Sequence, residues 1–209
     1  MSPKVSEAHK EQRRADILQA AEKVFAEHGY EKTTMKHIMD EANVSRGGLY
    51  LYFSSKEDVF ETLLEEDILS YQEKMRKHLQ SETNNTSYWH TLLTTLYGNE
   101  KHENMAIGPA SSTILEFFIT GRNDEERRSY GKKRYTLAIQ MYIDIIEKGK
   151  ESGEFSQEAQ SDMIARSIVA FTDGVFLDYT IVGNEDVKMN EQIKYFTHYL
   201  AFALGVKQT

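Results

Sequence analysis

The apolar residues of this chain recur every three or four positions along most of its length, and this spacing constrains the fold more than any other feature. Near the N-terminus, one helix face carries Ile17, Leu18, Ala21, Val24 and Phe25. Nowhere do Val, Ile and Thr alternate with polar residues between hairpin turns, as the strands of a sheet require. The sequence therefore predicts an all-α protein, with three short helices at the front and a larger helical body behind them.

Helix ends can be placed from capping residues. Gly29 ends the first helix, Thr33-Thr34 caps a second and Ser45 caps a third, while Ser54 with Glu57 predicts a capping box for a long fourth helix. The later helices are predicted near residues 88–98, 107–120, 125–150, 161–182 and 190–205.

Composition excludes several classes of protein. The chain has 209 residues, of which 40% are apolar and 28% charged, and it contains no cysteine. This balance is not that of a disordered or collagen-like chain, and the lack of cysteine excludes disulfides, thiolate nucleophiles and cysteine-based zinc sites. No apolar run approaches the ~18 residues of a membrane span, and none follows the charged N-terminal segment. We therefore expect a cytoplasmic protein without a secretory signal or membrane partner.

The formal net charge of −8 is unevenly distributed. Residues 1–60 contain 9 Lys and Arg against 10 Asp and Glu, whereas residues 61–209 contain 16 against 23. The acidity therefore belongs mainly to the C-terminal part and does not argue against a phosphate-binding face near the N-terminus.

The second and third predicted helices form a candidate helix-turn-helix. They span residues 34–40 and 45–52 and are joined by the short turn at Asn43-Val44. In this motif the first helix supports the unit and the second presents its N-terminal residues to the major groove of DNA. Asn43 tolerates the left-handed conformation that such a turn requires, and the apolar Val44 can pin the two helices together.

The residues of this region resemble the N-terminal domain of the TetR family of bacterial transcriptional repressors. A weaker resemblance to the C-terminal domain of that family lies at Glu147 to Phe155, with Gly149 and Gly153-Glu154-Phe155. Asn43, Met39 and Gly48 depart from the family pattern, which favours Gly, Ala and Thr or Ser at those positions. The matching N-terminal residues, over roughly 13–60, are Ile17-Leu18-x-Ala20-Ala21, Phe25, Gly29-Tyr30, Thr33-Thr34, Ile38, Ala42-x-Val44-Ser45, Gly47, Leu49-Tyr50-x-Tyr52-Phe53 and Ser55-Lys56-Glu57.

The resemblance implies a DNA-binding domain over residues 1–54 and a helical ligand-binding and dimerisation domain over residues 55–209. It further implies a homodimer that binds a palindromic DNA operator and is released when a small-molecule inducer enters the C-terminal domain. In the mechanism that it implies, inducer binding moves the fourth helix and changes the spacing of the two recognition helices. No cofactor or metal ion is expected.

Nine residues are candidates for DNA contact. Arg46 can fork onto guanine O6 and N7 or bind a phosphate. Tyr50 is favoured over Tyr52 as a contact, since one of the two tyrosines can instead pack on its neighbours. Lys56 lies at a helix N-terminus, where a cation is disfavoured unless an anion accompanies it. The full set is Thr34, Lys36, Ser45, Arg46, Gly47, Gly48, Tyr50, Tyr52 and Lys56.

The ligand site that the resemblance implies is assigned to large aromatic and apolar residues of the body, any of which could equally be ordinary core. Asp173 stands between Thr172 and Gly174 in an apolar run, where it contacts a ligand or faces the partner subunit or solvent. The inducer itself is not specified beyond a weak indication that it is hydrophobic. The candidates are Trp89, Leu93, Tyr97, Phe117, Phe118, Tyr142, Phe171 and Asp173.

Two apolar stripes near the C-terminus are assigned by the resemblance to a four-helix dimer interface. The first consists of Ile164, Ile168, Phe171, Val175 and Tyr179, and the second of Ile193, Phe196, Tyr199, Leu200 and Ala203.

Two other classes of function compete with a DNA-binding regulator. An enzyme is disfavoured because the seven histidines form no His-x-x-x-His or Glu-x-x-His pair and no Gly-x-Ser-x-Gly or phosphate-binding loop is present. A helical protein-interaction adaptor would carry the same front helices without reading DNA.

Overall fold

The fold is all-α, as the sequence predicts. The computed structural model describes residues 7–80, 87–98 and 110–206, and within these ranges it contains α-helices, one short 3-10 helix at 121–123 and no strand. None of the described helices is both long and apolar enough to cross a bilayer. The α-helices are α1 (Glu7–Lys32), α2 (Met35–Ala42), α3 (Arg46–Tyr50), α4 (Lys56–Gln80), α5 (Tyr88–Tyr97), α6 (Ala110–Thr120), α7 (Glu125–Glu151), α8 (Ser161–Val182), α9 (Asn184–Val187) and α10 (Met189–Leu204).

The predicted helices begin and end within a few residues of these bounds, with two differences. The first helix is not short, since α1 has 26 residues. The short α9 and the 3-10 helix are not foreseen by the apolar spacing, because each is too short to show a period. The predicted start of α6 at residues 107–109 lies outside the described residues.

The chain divides into two compact units. The first comprises Met1–Glu82 with Pro109–Phe117, and the second comprises Thr83–Gly108 with Phe118–Thr209. The domain boundary expected at residue 54 lies just before α4, whereas the division between the two compact units places α4 and residues 110–117 of α6 in the first unit.

Four aromatic rings form the centre of the first unit. Phe25 and Tyr30 come from α1, Phe60 from α4 and Phe117 from α6, and all four are almost completely buried. The Phe60 ring centre lies 4.7 Å from that of Phe25, and the Phe117 ring centre lies 4.8 Å from that of Tyr30, with near edge-to-face packing. Such pairs contribute about 0.5–1.5 kcal/mol beyond their burial. This cluster fixes the start of α4 against the end of α1.

The end of α1 is reshaped at Gly29, as its predicted role as a helix terminator requires. Its φ of 75° and ψ of 175° interrupt the helix and release the N–H of Tyr30 from the helical pattern. That N–H donates to Glu116 Oε2 at 2.7 Å, and a Cβ on Gly29 would lie 2.7 Å from the same oxygen. Thr33 Oγ1 donates to the Gly29 carbonyl at 2.6 Å. Glycine is therefore needed both for the backbone angle and for the approach of α6.

The capping box predicted from Ser54 and Glu57 is wrong in register. The N–H of Asp58 donates to Ser55 Oγ at 3.1 Å, while the carboxylate of Asp58 accepts from the N–H of Ser54 at 2.7 Å. Glu57 instead accepts from the hydroxyl of Tyr30 at 2.7 Å. The cap moves by one residue because the buried Tyr30 needs a partner for its hydroxyl.

In the second unit, the segment from Gly149 to Phe155 has a structural role for several of its residues. Gly149 packs so closely on the buried Phe155 ring that a Cβ would lie 2.1 Å from Phe155 Cδ2. Gly153 turns the chain at φ 80°, which brings Glu154 to the start of α5. There the Glu154 carboxylate accepts from the N–H groups of Tyr88 at 2.6 Å and Trp89 at 3.1 Å. One short segment thus ends α7 and caps α5.

Five of the ten residues in the two stripes assigned to a dimer interface are buried within the chain. Ile164, Ile168 and Val175 of α8 are buried, as are Ile193 and Leu200 of α10, because these faces pack within the second unit. Other large apolar side chains of the same helices remain open. The most exposed of them are Met163, Leu177, Ile181 and Val182 on α8 and Tyr195, Tyr199 and Phe202 on α10.

Candidate nucleic-acid interface

Helices α2 and α3 form a helix-turn-helix whose ends are fixed by local hydrogen bonds. Thr34 caps α2, since its Oγ1 accepts from the N–H of His37 at 3.2 Å. Asn43 adopts the predicted left-handed conformation, with φ 50° and ψ 51°, and the N–H of Val44 donates to the Met39 carbonyl at 3.1 Å. Asparagine tolerates this region better than most residues other than glycine. The turn predicted at Asn43-Val44 is confirmed.

Helix α3 is shorter than the predicted 45–52 and spans five residues. Ser45 caps it as predicted, with its Oγ accepting from the N–H of Gly48 at 3.2 Å. At the other end the N–H groups of Tyr52 and Phe53 both turn back to the carbonyl of Leu49, which ends the regular helix. The Leu49 side chain is fully buried and holds α3 on the unit, so that the opposite face is left open.

Helix α3 exposes one cation and one aromatic ring, and the residue that follows the helix exposes an aliphatic side chain. Arg46 is exposed, and its guanidinium carbon lies 5.5 Å from the centre of the Tyr50 ring, within the range of a cation–π contact. Tyr50 is 45% exposed and the adjacent Leu51 is 74% exposed. Sequence reasoning missed Leu51, because a leucine among aromatic residues looks like core until the chain is folded.

The two glycines of α3 differ in their surroundings. A Cβ on Gly47 would meet nothing within 4 Å, whereas a Cβ on Gly48 would lie 3.3 Å from Ser45 Oγ. A side chain at Gly48 would therefore crowd the Ser45 hydroxyl that caps α3, which partly explains the glycine at this position. Gly47 leaves the backbone of α3 accessible at the surface.

The remaining cationic candidates lie in different settings. Lys36 of α2 is exposed. Lys56 is half-buried, and its Nζ donates to the carbonyls of Tyr30 at 2.8 Å and Glu31 at 3.3 Å, at the end of α1. An ammonium has three donors, so this geometry leaves one for a phosphate. The sequence predicts an anionic partner for the Lys56 ammonium. In the structure, two backbone carbonyl oxygens take part of that role.

Seven of the eight ligand candidates belong to the second unit, and Phe117 is the exception. Phe117 belongs to the aromatic centre of the first unit, while the others lie in the second. Phe171 stacks on Phe196 with ring centres 3.9 Å apart. Leu93, Tyr97 and Tyr142 are buried, and Trp89 and Phe118 are half-buried.

Two of the ligand candidates, Tyr97 and Asp173, have shifted pKa values. The hydroxyl of Tyr97 is bonded to Thr197 Oγ1 at 2.6 Å, and burial raises its pKa. Asp173 is exposed on α8 rather than buried, although crowding by neighbouring atoms raises the pKa of its carboxyl. Because Asp173 is exposed, its side chain is better suited to face the partner subunit or solvent than to contact a ligand.

A cavity of about 250 Å³ lies in the first unit, where none of the eight ligand candidates contributes to its wall. Leu18 and Phe25 of α1, Phe60 and Leu64 of α4 and Ile114 of α6 supply most of its apolar lining. The apolar spacing of the sequence gives no sign of it, since packing defects depend on side chains from three helices.

Comparison with known proteins agrees with this geometry. Residues 17–63 match the family described as bacterial regulatory proteins of the tetR family, and residues 98–190 match the tetracyclin repressor-like C-terminal domain. An HTH-type transcriptional regulator of Bacillus subtilis, YfiR, is 36% identical over 84% of this chain and 83% of its own length. The HTH-type transcriptional repressor KstR2 of Mycobacterium tuberculosis is 27% identical over 75% of this chain and 76% of its own.

Solved structures share the fold at low identity. Salmonella enterica GusR superimposes with a TM-score of 0.71 at 23% identity, covering 96% of this chain and 98% of that protein. The reduced form of NemR from E. coli gives a TM-score of 0.74 at 18% identity, with 94% and 100% covered. Because both family models match the chain and YfiR is 36% identical over 84% of it, the chain belongs to the TetR family of bacterial transcriptional regulators.

Proposed function

We propose that the chain is a ligand-responsive repressor that binds a palindromic operator as a homodimer and is released by a small hydrophobic molecule. The observation that carries the proposal is the exposure of Arg46 and Tyr50 on α3, which Ser45 caps, and of Leu51 directly after the helix. The protein then acts by binding rather than catalysis, in the cytoplasm where its DNA lies.

The contact scheme follows from what each side chain can reach. Arg46 reads a guanine or holds a phosphate, and the Tyr50 ring beside it restricts where the guanidinium lies. Leu51 offers an apolar surface suited to a thymine methyl group. The phosphate contacts fall to Lys36 and Lys56 and, through hydroxyl or backbone groups, to the residues Thr34, Ser45, Gly47, Gly48 and Tyr52.

The homodimer is supported by the open apolar side chains of α8 and α10. Phe202 is 88% exposed and Tyr195 75% exposed, and Ile181 is 68% exposed. Large apolar side chains left exposed on neighbouring helices are typical of an interaction site. Binding to a palindromic operator requires the two copies of α3 in the homodimer to lie about one turn of DNA apart, ~34 Å.

The inducer site is proposed within the second unit. The support is the set of aromatic and apolar side chains there: Trp89, Leu93, Tyr97, Phe118, Tyr142 and Phe171. Phe117 and Asp173 are left out of this site. Phe117 belongs to the core of the first unit, and Asp173 lies on the exposed side of α8.

The DNA-binding part is tested by selecting bound fragments from random DNA and titrating the selected duplex by fluorescence anisotropy. Arg46→Ala should lower affinity about 5- to 150-fold, the range of a bidentate base contact, and relax selectivity at one base pair. Arg128→Ala, which removes an exposed cation of α7, should leave affinity unchanged. Affinity should also fall steeply as salt rises. Equal affinity of the Arg46 variant, or binding that salt does not weaken, would contradict the scheme.

The dimer part is tested separately by light scattering after gel filtration. Phe202→Asp should give a monomer, whereas Ile119→Asp, at a half-exposed position of α6, should remain dimeric. A dimer that survives Phe202→Asp would place the interface elsewhere.

A further inference from the structure

Two histidine rings meet where α1 and α2 pack together in the first unit. His28 lies in the last turn before the break of α1 at Gly29, and His37 lies in the first turn of α2. Their ring centres are 5.1 Å apart and the rings are tilted by 43°. The proposed DNA contacts use neither side chain.

His37 carries an unsatisfied buried nitrogen. Its Nδ1 is shielded from solvent and has no hydrogen-bond partner, the one such side-chain nitrogen or oxygen in the described part of the chain. Buried polar atoms are paired in the great majority of cases, and an exception calls for a water or ion that completes the site. An imidazole nitrogen that carries a lone pair is a common ligand for transition metals.

The spacing of the two rings suits a shared metal ion. Two imidazoles that bind one tetrahedral zinc at about 2.0–2.1 Å from each nitrogen have ring centres about 5 Å apart. We propose that His28 and His37 form a two-histidine site for a divalent transition-metal ion such as Zn²⁺. No group of three or more ligating side chains occurs among the described residues, so water that reaches the ion from the exposed side of His28 completes the coordination.

Occupancy would clamp α1 to α2. One ligand comes from each helix, so the ion cross-links the two elements that set the entry of the chain into the helix-turn-helix. Any ligand that binds the folded chain and not the unfolded one raises the unfolding temperature. Metal binding itself does not depend on the proposed DNA-binding function, so the two can fail independently.

The experiment titrates tag-free protein, first dialysed against a chelator, with ZnCl₂, CuCl₂ or MgCl₂ by isothermal titration calorimetry. We expect one ion per chain, tighter binding of Cu²⁺ than Zn²⁺, and none of Mg²⁺. The electron paramagnetic resonance spectrum of the Cu²⁺ complex should show nitrogen ligands. Zn²⁺ should also raise the unfolding temperature of the wild-type protein.

The variants locate the site. His28 is exposed, so His28→Ala preserves the core while removing a ligand, and it should lower Zn²⁺ affinity at least tenfold and abolish the thermal shift. His37→Ala should do the same, and His198→Ala, at an exposed position of α10, should change neither measurement. Absence of Zn²⁺ binding to the wild-type protein, or undiminished binding to His28→Ala, would overturn the proposal.

Discussion

The contact between Gly149 and Phe155 gives a stability prediction that can be worked out in advance. Gly149 is a buried position of α7, and a Cβ there would lie 2.1 Å from Cδ2 and 2.3 Å from Cε2 of Phe155. No real Cβ tolerates such distances, so Gly149→Ala forces the ring or the backbone to move. The Phe155 side chain is only 3% exposed, so moving its ring disturbs the packing of the core.

The cost follows from the two ways of relieving the clash. Rotating Phe155 outward forfeits about 1.5–3 kcal/mol of burial. Shifting the backbone of an overpacked core costs about 1–3 kcal/mol. We therefore expect Gly149→Ala to lower the free energy of unfolding by about 2–3 kcal/mol.

The assay is urea unfolding followed by circular dichroism at a fixed protein concentration. Gly47→Ala serves as the matched control, because it also adds a methyl group to a helical glycine but meets nothing within 4 Å. It should be neutral or stabilise by up to about 1 kcal/mol, as expected for glycine to alanine in a helix.

A double substitution isolates the clash. Phe155→Ala alone should cost about 3–5 kcal/mol, and adding Gly149→Ala to it should cost little more, because the ring is gone. If Gly149→Ala proved as harmless as Gly47→Ala, or if its cost were undiminished in the Phe155→Ala background, the steric reasoning would be refuted.

Two further predictions concern single residues. Asn43→Gly should preserve stability, since glycine accepts the left-handed conformation freely, whereas Asn43→Ala should cost about 0.5–1 kcal/mol in urea unfolding; equal stability of both variants would count against strain there. Because the pKa of Asp173 is raised above 3.8, the folded state binds the extra proton, and the stability contribution of this group falls as pH rises above about 4. Asp173→Asn should therefore gain stability relative to the wild type between pH 4 and 7, and a relative loss over that range would refute the assignment.

Local sequence signals placed the helix-turn-helix correctly because its ends depend on neighbours along the chain. Thr34 and Ser45 cap the helices that follow them, and Asn43 takes the left-handed turn, through bonds that span three or four residues. Local sequence signals failed to predict the N-terminal cap of α4, because that cap also depends on a residue distant in the chain. Glu57 looked like part of a capping box until the hydroxyl of Tyr30 was found to occupy it.

Apolar spacing likewise identified helices but not the partner of each helix face. Ile168 and Phe202 both lie on helices that carry apolar stripes, yet the first is buried within the chain and the second is almost fully exposed. Burial depends on which helices pack against each other, and the apolar periodicity of a single helix does not specify its neighbours. The same reason explains why Leu51 was missed as a surface residue.

Sequence alone determined that the chain is helical, that a capped recognition helix begins at Arg46, and which family it belongs to, because these follow from short-range capping, periodicity and matched motifs. The tertiary structure decided the rest. It assigned Phe117 to the first unit, gave Lys56 two carbonyl partners and brought His28 beside His37. Contacts between residues distant in the chain are set by the packing of whole helices, and no local pattern encodes them.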